Sequence, residues 1–317
     1  MLGNVTQTNS YPLHSFSLGW PFLDTPFNSK YWNYGGDTAV DNNRRRISLT
    51  RTDRKHQRGF LWTKNPLTGS AWVVDIEFKV HGTTGAFHGD GFAFWYTTEK
   101  EQTGPVFGSK HPWNGLGIFF DTFKNSHYHP FNFPYISVHV NDGSQLYHTE
   151  SDGKQGEVGG CSSKFRNRDT PTFARIEYVK YDYMRVSVSV DGENTWTQCA
   201  YMENAVLPDN GYLGFTSHTG DATDTHDIMK VVATGLTNPK AYKLNMDHLA
   251  KVANIVKNQA HNFEGGSFDS QSGMFGEALL LVVGAAGLCL VGLGVFLMWK
   301  KKQDVDSQLG RGYAKRF

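Results

Sequence analysis

The chain has 317 residues, a formal net charge of +1, 14% aromatic residues, 34 glycines and only three cysteines. So even a charge balance leaves no electrostatic footprint for nucleic acid or for an acidic substrate. The length admits one large β body with appendages or two ordinary domains, and strand-like runs between turn signals favour β over helix.

At the start, Met1-Leu2-Gly3-Asn4 opens a polar stretch without the apolar core of a signal peptide, so the start is expected to be incomplete. Asn4-Val5-Thr6 is a glycosylation sequon, usable only in a lumen. Residues from Leu13 to Phe27 carry aromatics and Pro without periodicity, which suggests a strand at an edge or one that packs late. Asp41 to Arg58 is strongly charged, with Arg44, Arg45 and Arg46 in a row, and reads as a solvated face.

The β pattern then becomes plain. Trp72, Val74, Ile76, Phe78 and Val80 alternate with Val73, Asp75, Glu77 and Lys79, the mark of a half-buried strand. Gly91 to Tyr96 is apolar on both faces and reads as a central strand, and Ile136, Val138 and Val140 alternate with polar neighbours. Arg175 to Val179 and Met184 to Val190 form a hairpin around Tyr181-Asp182, and Tyr212 to Thr216 and Ile228 to Ala233 complete the set. Many short strands without intervening helical stretches predict an all-β fold, an antiparallel β-sandwich of two packed sheets over residues 13–237.

One strand has chemistry at its end. Gly115 to Asp121 is an apolar run that stops in an acid, and Phe123 and Asn125 follow at steps of two. Alternate residues of extended chain point the same way. The Asp121 carboxylate, a main-chain carbonyl near Phe123 and the Asn125 amide oxygen would therefore converge on one hard cation. Calcium takes six to eight oxygens in irregular geometry, and Asp152, in Ser-Asp-Gly, is the candidate second acid. By spacing alone, an Asp that ends a strand and an Asn in a turn would look the same.

Beyond Asn238-Pro239 the pattern changes. Tyr242, Leu249, Val252 and Val256 suit a weak helical stalk, and a Gly/Ser-rich linker follows, together residues 238–277. Ala278 to Trp299 carries no charge and is long enough for one transmembrane helix. Lys300, Lys301 and Lys302 come next, so the N-terminal body is expected in a lumen and the tail, residues 300–317, in the cytosol. Cys161 and Cys199 are then a possible pair, because a lumen is oxidising.

Several motifs together resemble one family. Gly89-Asp90-Gly91-Phe92-Ala93-Phe94-Trp95-Tyr96, Gly104-Pro105-Val106-Phe107-Gly108, Phe133-Pro134-Tyr135-Ile136-Ser137-Val138, Cys161 with Phe165-Arg166-Asn167, and Thr219-Gly220-Asp221 before Asp224-Thr225-His226-Asp227 are similar to the L-type, legume-lectin-like lectins of the animal secretory pathway. The resemblance runs from about Phe16 to Leu236, and stalk, span and tail follow in the family's order. It implies a lectin, not an enzyme, that binds high-mannose N-glycans and acts as a membrane cargo receptor for glycoproteins between endoplasmic reticulum and Golgi. It implies mannose contacts at Asp90, Asn125, Gly220 and Asp221, and calcium (Ca2+) at Asp121, the Phe123 carbonyl, Asn125 and Asp152. It also implies the disulfide Cys161–Cys199.

There are departures. Where the family has Tyr-Asp-His, this chain has Tyr147-His148-Thr149, which moves the imidazole by one residue. One step along extended chain turns a side chain to the other face, so His148 is a candidate sugar contact that would miss the site, with Thr149 in its place. The family's far-rim Ser falls in the Asp41 to Arg46 stretch, where Asn42 and Asn43 are the candidates. The tail ends Lys315-Arg316-Phe317, one aromatic short of the family pattern, which leaves coat-protein contact for export through Phe317 and weakens retrieval. Weak self-association is a further expectation. The competing function is a protein-binding cargo adaptor with an altered sugar site. A glycoside hydrolase needs two carboxylates flanking the bond, and Asp90, Asp121 and Asp152 are already committed to sugar or metal.

Overall fold

The computed structural model describes residues 10–25, 28–83, 88–127 and 129–237. The expected stalk, transmembrane helix and tail ending at Phe317 lie outside the described residues. Seventeen strands run through the described residues. The first six are β1 (Ser10–Pro12), β2 (Trp32–Gly36), β3 (Ala39–Asp41), β4 (Arg46–Thr50), β5 (Arg58–Thr63) and β6 (Leu67–Thr68). Next come β7 (Ala71–His81), β8 (Gly91–Thr97), β9 (Thr103–Val106), β10 (Asn114–Asp121), β11 (Tyr135–Asp142) and β12 (Glu157–Ser162). The chain continues with β13 (Thr172–Val179), β14 (Tyr183–Ser189), β15 (Thr197–Glu203), β16 (Asn210–His218) and β17 (Thr225–Leu236).

These strands form the expected two antiparallel sheets. One has the order β15-β14-β13-β7-β17-β4-β3 with β1 added on β17, and the other β12-β11-β10-β8-β16-β5-β2 with β6 added on β16. The alternation of β7 sends Trp72, Val74, Ile76, Phe78 and Val80 inward, where they meet Phe92, Phe94, Leu116, Ile118, Phe120 and Val138 of the second sheet. Each such side chain, fully removed from water, contributes roughly 1.5–3 kcal/mol.

The second sheet is buried on its outer face too. Ala93, Trp95 and Phe119 point away from the sandwich and pack with Phe107, Trp113 and Tyr147 from the loops after β9 and β11. That second layer is why β8 reads as apolar on both faces. Cys161 of β12 and Cys199 of β15 are disulfide-bonded, so the outermost strand of one sheet is tied to that of the other.

Two expectations need correction. Among the described residues of the Leu13 to Phe27 stretch there is no named strand: a short 3-10 turn (His14–Phe16) follows β1, and Leu18 makes an isolated bridge to Val231. Asp41 to Arg58 is not simply a solvated face either. It contains β4, whose Ile47 and Leu49 are core residues. Charge conceals that strand because its polar partner is buried: Arg46 Nη1 lies 2.9 Å and Ser48 Oγ 2.5 Å from the buried Asp227 carboxylate.

Candidate functional site

The sheet register assembles the site. Asp121, the last residue of β10, lies opposite Gly91 of β8; Gly91 lies opposite His218 of β16, and His218 opposite Arg58 of β5. Residues directly opposite in neighbouring strands share a face. One row at the end of the second sheet therefore presents Arg58, His218, a glycine gap and Asp121 on the outer face, beside the Phe107 and Tyr147 rings. Gly91 has φ +137, and a Cβ there would come within 2.3 Å of the Phe120 carbonyl oxygen, so only glycine fits.

Over this row opens a depression of about 280 Å³. Asp90, Asp121, Phe123, Asn125 and Asp152 line it, with Arg58, His218, Pro105, Phe107, Tyr147 and Thr149 as the remaining wall. Residues from six separate parts of the chain thus meet in one place. Asp121 Oδ1 accepts the Phe123 N–H at 2.9 Å. Asp152, in a left-handed conformation with φ 52, accepts the Asn125 N–H on Oδ1 at 2.8 Å and the Ser126 N–H on Oδ2 at 2.9 Å. The loop carrying Asn125 is thereby pinned to a second loop.

The donor set fits a hard cation. Burial pushes the Asp121 carboxyl well above the usual carboxylate range; the Phe123 N–H opposes that, and the charges of Asp152 and Asp90 add to it. A divalent ion would offset this crowding of negative charge. Each carboxylate oxygen keeps a lone pair beyond the hydrogen bond it accepts. Among the described residues no group of three or more His, Cys, Asp or Glu side chains could hold a metal. An ion here would therefore take two carboxylates with the Asn125 amide and the Phe123 carbonyl, an all-oxygen set suited to calcium rather than zinc.

Asp90 stands opposite the Asp121–Asn125 loop, half-buried. Its N–H donates to the His218 carbonyl at 3.3 Å, its carbonyl accepts the Thr122 N–H at 3.0 Å, and its Oδ2 lies 3.1 Å from His218 Nδ1. Gly220 lies against it, since a Cβ on Gly220 would sit 3.8 Å from Asp90 Oδ2.

Two expected contacts lie elsewhere. The Asp221 carboxylate is exposed and turned away, 3.1 Å from Lys55 Nζ and 3.7 Å from His56 Nε2. The Lys55 hydrogen bond and charge, with His56, hold it below the usual carboxylate range. His148 points off the depression, its Nδ1 3.0 Å from Glu150 Oε1, while Thr149 lines the wall. The one-residue offset does turn the imidazole out, and the residues after Tyr147 form a 3-10 turn rather than extended chain. Asn42 and Asn43 do not line the depression; Arg58 and His218 do. No local signal points to Arg58 or His218, because only cross-strand register brings them to Asp90.

Comparison with known proteins completes the description. The model of the Legume-like lectin family matches residues 9–243. The mouse VIP36-like protein is 38% identical over 239 residues, covering 74% of this chain and 67% of that protein. The human vesicular integral-membrane protein VIP36 is 32% identical over 310 residues, covering 95% of this chain and 86% of that protein. The crystal structure of the VIP36 exoplasmic/lumenal domain in its Ca2+/Man-bound form matches with a TM-score of 0.68 and 35% identity, over 72% of this chain and 93% of that one.

Proposed function

The chain belongs to the legume-like lectin family, and on that premise we propose that it is a calcium-dependent lectin for mannose-bearing glycans and a membrane cargo receptor of the early secretory pathway. The observation that carries this reading is the meeting of Asp90, Asp121, Asn125 and Asp152 around one depression. The kinship to a vesicular integral-membrane protein, and to a lumenal domain crystallised with Ca2+ and mannose, supports it. The family is one of sugar binders rather than enzymes.

Asp121, Asp152, the Asn125 amide oxygen and the Phe123 carbonyl would hold the ion. When bound, calcium supplies fixed positive charge that rigidifies the loop. The chain's own residues do the rest. Asp152 fixes the main chain of Asn125, which sets where its side chain starts from. Asp90 accepts from two vicinal hydroxyls of a mannose ring, and bonds to a charged acceptor are stronger than neutral ones. Gly220 leaves room for the ring against Asp90, and Phe107 and Tyr147 offer an apolar flank. Thr149 gives a hydroxyl where the family has an imidazole.

A shallow polar site of this kind binds one mannose with a dissociation constant on the order of a millimolar. Capture of cargo then depends on branched glycans and on weak self-association of receptors, which raise the effective concentration. Coat-protein contact through the tail ending in Phe317 supplies export, and residence between endoplasmic reticulum and Golgi follows from the luminal body. A glycan array probed with the solubilised full chain, with calcium and with chelator, tests the reading. High-mannose glycans should be retained in calcium and released by chelator; retention of protein partners alone would favour the cargo-adaptor alternative.

A further inference from the structure

We infer that His111 is a positioning residue for the loops of the candidate calcium site. As a neutral imidazole it latches the segment that carries Asp152, and its protonation releases the latch. The link to calcium rests on the reading above; the latch itself does not.

The connection between β11 and β12, residues 143–156, supplies Tyr147, Thr149 and Asp152 to the depression. From His148 onward its main chain is folded on itself. The His148 carbonyl accepts the Ser151 N–H at 3.1 Å and the Gly153 N–H at 3.0 Å, and the Thr149 carbonyl accepts the Asp152 N–H at 3.0 Å. Tyr147 is the root of this turn. Its ring packs on Gly153, where a Cβ would come within 2.2 Å of it, and against Phe119, with centroids 5.1 Å apart. The Tyr147 N–H donates not to a carbonyl but to His111 Nδ1, at 3.1 Å and across 36 residues of sequence. His111 is half-buried and belongs to a different loop, the connection between β9 and β10.

An imidazole nitrogen accepts a hydrogen bond only while it carries no proton. The Tyr147 N–H therefore fixes the neutral His111 ring with its proton on Nε2. A second proton, on Nδ1, turns the acceptor into a donor, and two N–H groups then face each other. Among the described residues no carboxylate pairs with His111 to hold that charge. Lys110 and Glu99, which line one groove with it, pair with each other. On the Tyr147 side, burial keeps the Tyr147 phenol and His139 neutral, and His148 turns to Glu150. Imidazole is the side chain suited to change charge between pH 5 and 8, so such a latch is shut at neutral pH and opens in mild acid. Opening frees the root of the turn whose Asp152 carboxylate holds the Asn125 and Ser126 N–H groups.

The test compares the solubilised full chain with its His111→Asn and His111→Ala variants. Asn keeps an acceptor oxygen but does not titrate, and Ala offers neither. Hydrogen exchange of residues 145–153 in chelator, corrected for the intrinsic effect of pH, reads the latch without calcium. At about pH 7.5 protection should match in the unmodified chain and His111→Asn and be about tenfold lower in His111→Ala. At about pH 5.5 it should fall about tenfold in the unmodified chain and stay within about twofold in His111→Asn. Calorimetric titration with calcium chloride should follow the same order, with a smaller loss of affinity on acidification in His111→Asn than in the unmodified chain. Full protection in His111→Ala at neutral pH, or an acid loss in His111→Asn as deep as in the unmodified chain, overturns the latch. Calcium affinity that neither substitution moves overturns its role in positioning Asp152. No calcium binding by the unmodified chain at neutral pH overturns the calcium reading, and the exchange data then decide the latch by themselves.

Discussion

The carboxylate of Asp152 holds the main-chain N–H of Asn125 at 2.8 Å across a sequence separation of 27 residues. This bond, with its partner to Ser126, makes two surface loops one unit where Asn125 lines the depression. Removing it should show in binding before it shows in fold. In Asp152→Ala, two main-chain N–H groups lose a charged acceptor, at about 1–3 kcal/mol. Mannose-column retention should vanish while the far-ultraviolet circular dichroism stays that of a β-sandwich. Retention at the level of the unmodified chain would show that the loop does not depend on this acid.

Gly91→Ala should be equally damaging for a different reason. The new Cβ would meet the Phe120 carbonyl oxygen at 2.3 Å, in a backbone conformation that L side chains avoid. Asp90 and Asp121 flank this point, so relaxing the clash moves both. Loss of mannose binding together with about 2 kcal/mol or more of stability in urea unfolding is expected. A substitution neutral in both assays would contradict the register described.

Substitutions at His148 and Thr149 test the one-residue offset after Tyr147. His148→Ala should leave mannose affinity within about twofold, because His148 pairs with Glu150 outside the depression. Thr149→His should alter affinity, since it places an imidazole in the wall. The opposite pattern in a titration would mean that the Tyr147 segment is turned by one residue.

Stability should fall in mild acid. Burial holds His139 down to about 3 and His226 down to about 4, from an ordinary value of 6.5, so both are neutral in the fold. A depressed histidine contributes stability that is full above 6.5 and is lost as pH falls through 6.5 toward the folded value. Each should therefore contribute a slope of about 1.4 kcal/mol per pH unit in that window. Urea unfolding at neutral pH and at about pH 5 should show the loss, and His139→Gln should flatten it. A stability that rises on acidification would contradict the neutral state of both.

Cys161 and Cys199 close 38 residues of chain and join the edges of the two sheets. Cross-linking a loop of that length stabilises by about 2–4 kcal/mol through the unfolded state. Reductant should lower the melting temperature of the unmodified chain but not that of the Cys161→Ser/Cys199→Ser variant. Equal melting with and without reductant would mean that the bond does not form in the protein.

The contrast between what sequence and structure reveal has a physical pattern. Strands whose neighbours are all in the core, such as Trp72 to Val80, declare themselves by alternation. The Arg46–Thr50 strand does not, because Arg46 and Ser48 are pulled inward by an acid 181 and 179 residues away, respectively. The candidate calcium loop is legible because Asp121, Phe123 and Asn125 are close in sequence. Asp90 enters only through a family motif, and Arg58 and His218 enter through no motif, since their position depends on which strands pair.

The central claim is that an ion held by Asp121, Asn125 and Asp152 makes the loop fit to bind mannose beside Asp90. Titrating α-methyl mannoside into the solubilised full chain by calorimetry, once in calcium and once in excess chelator, tests it most directly. Millimolar binding in calcium and none in chelator is the predicted result. Equal heats of binding in the two buffers would contradict it.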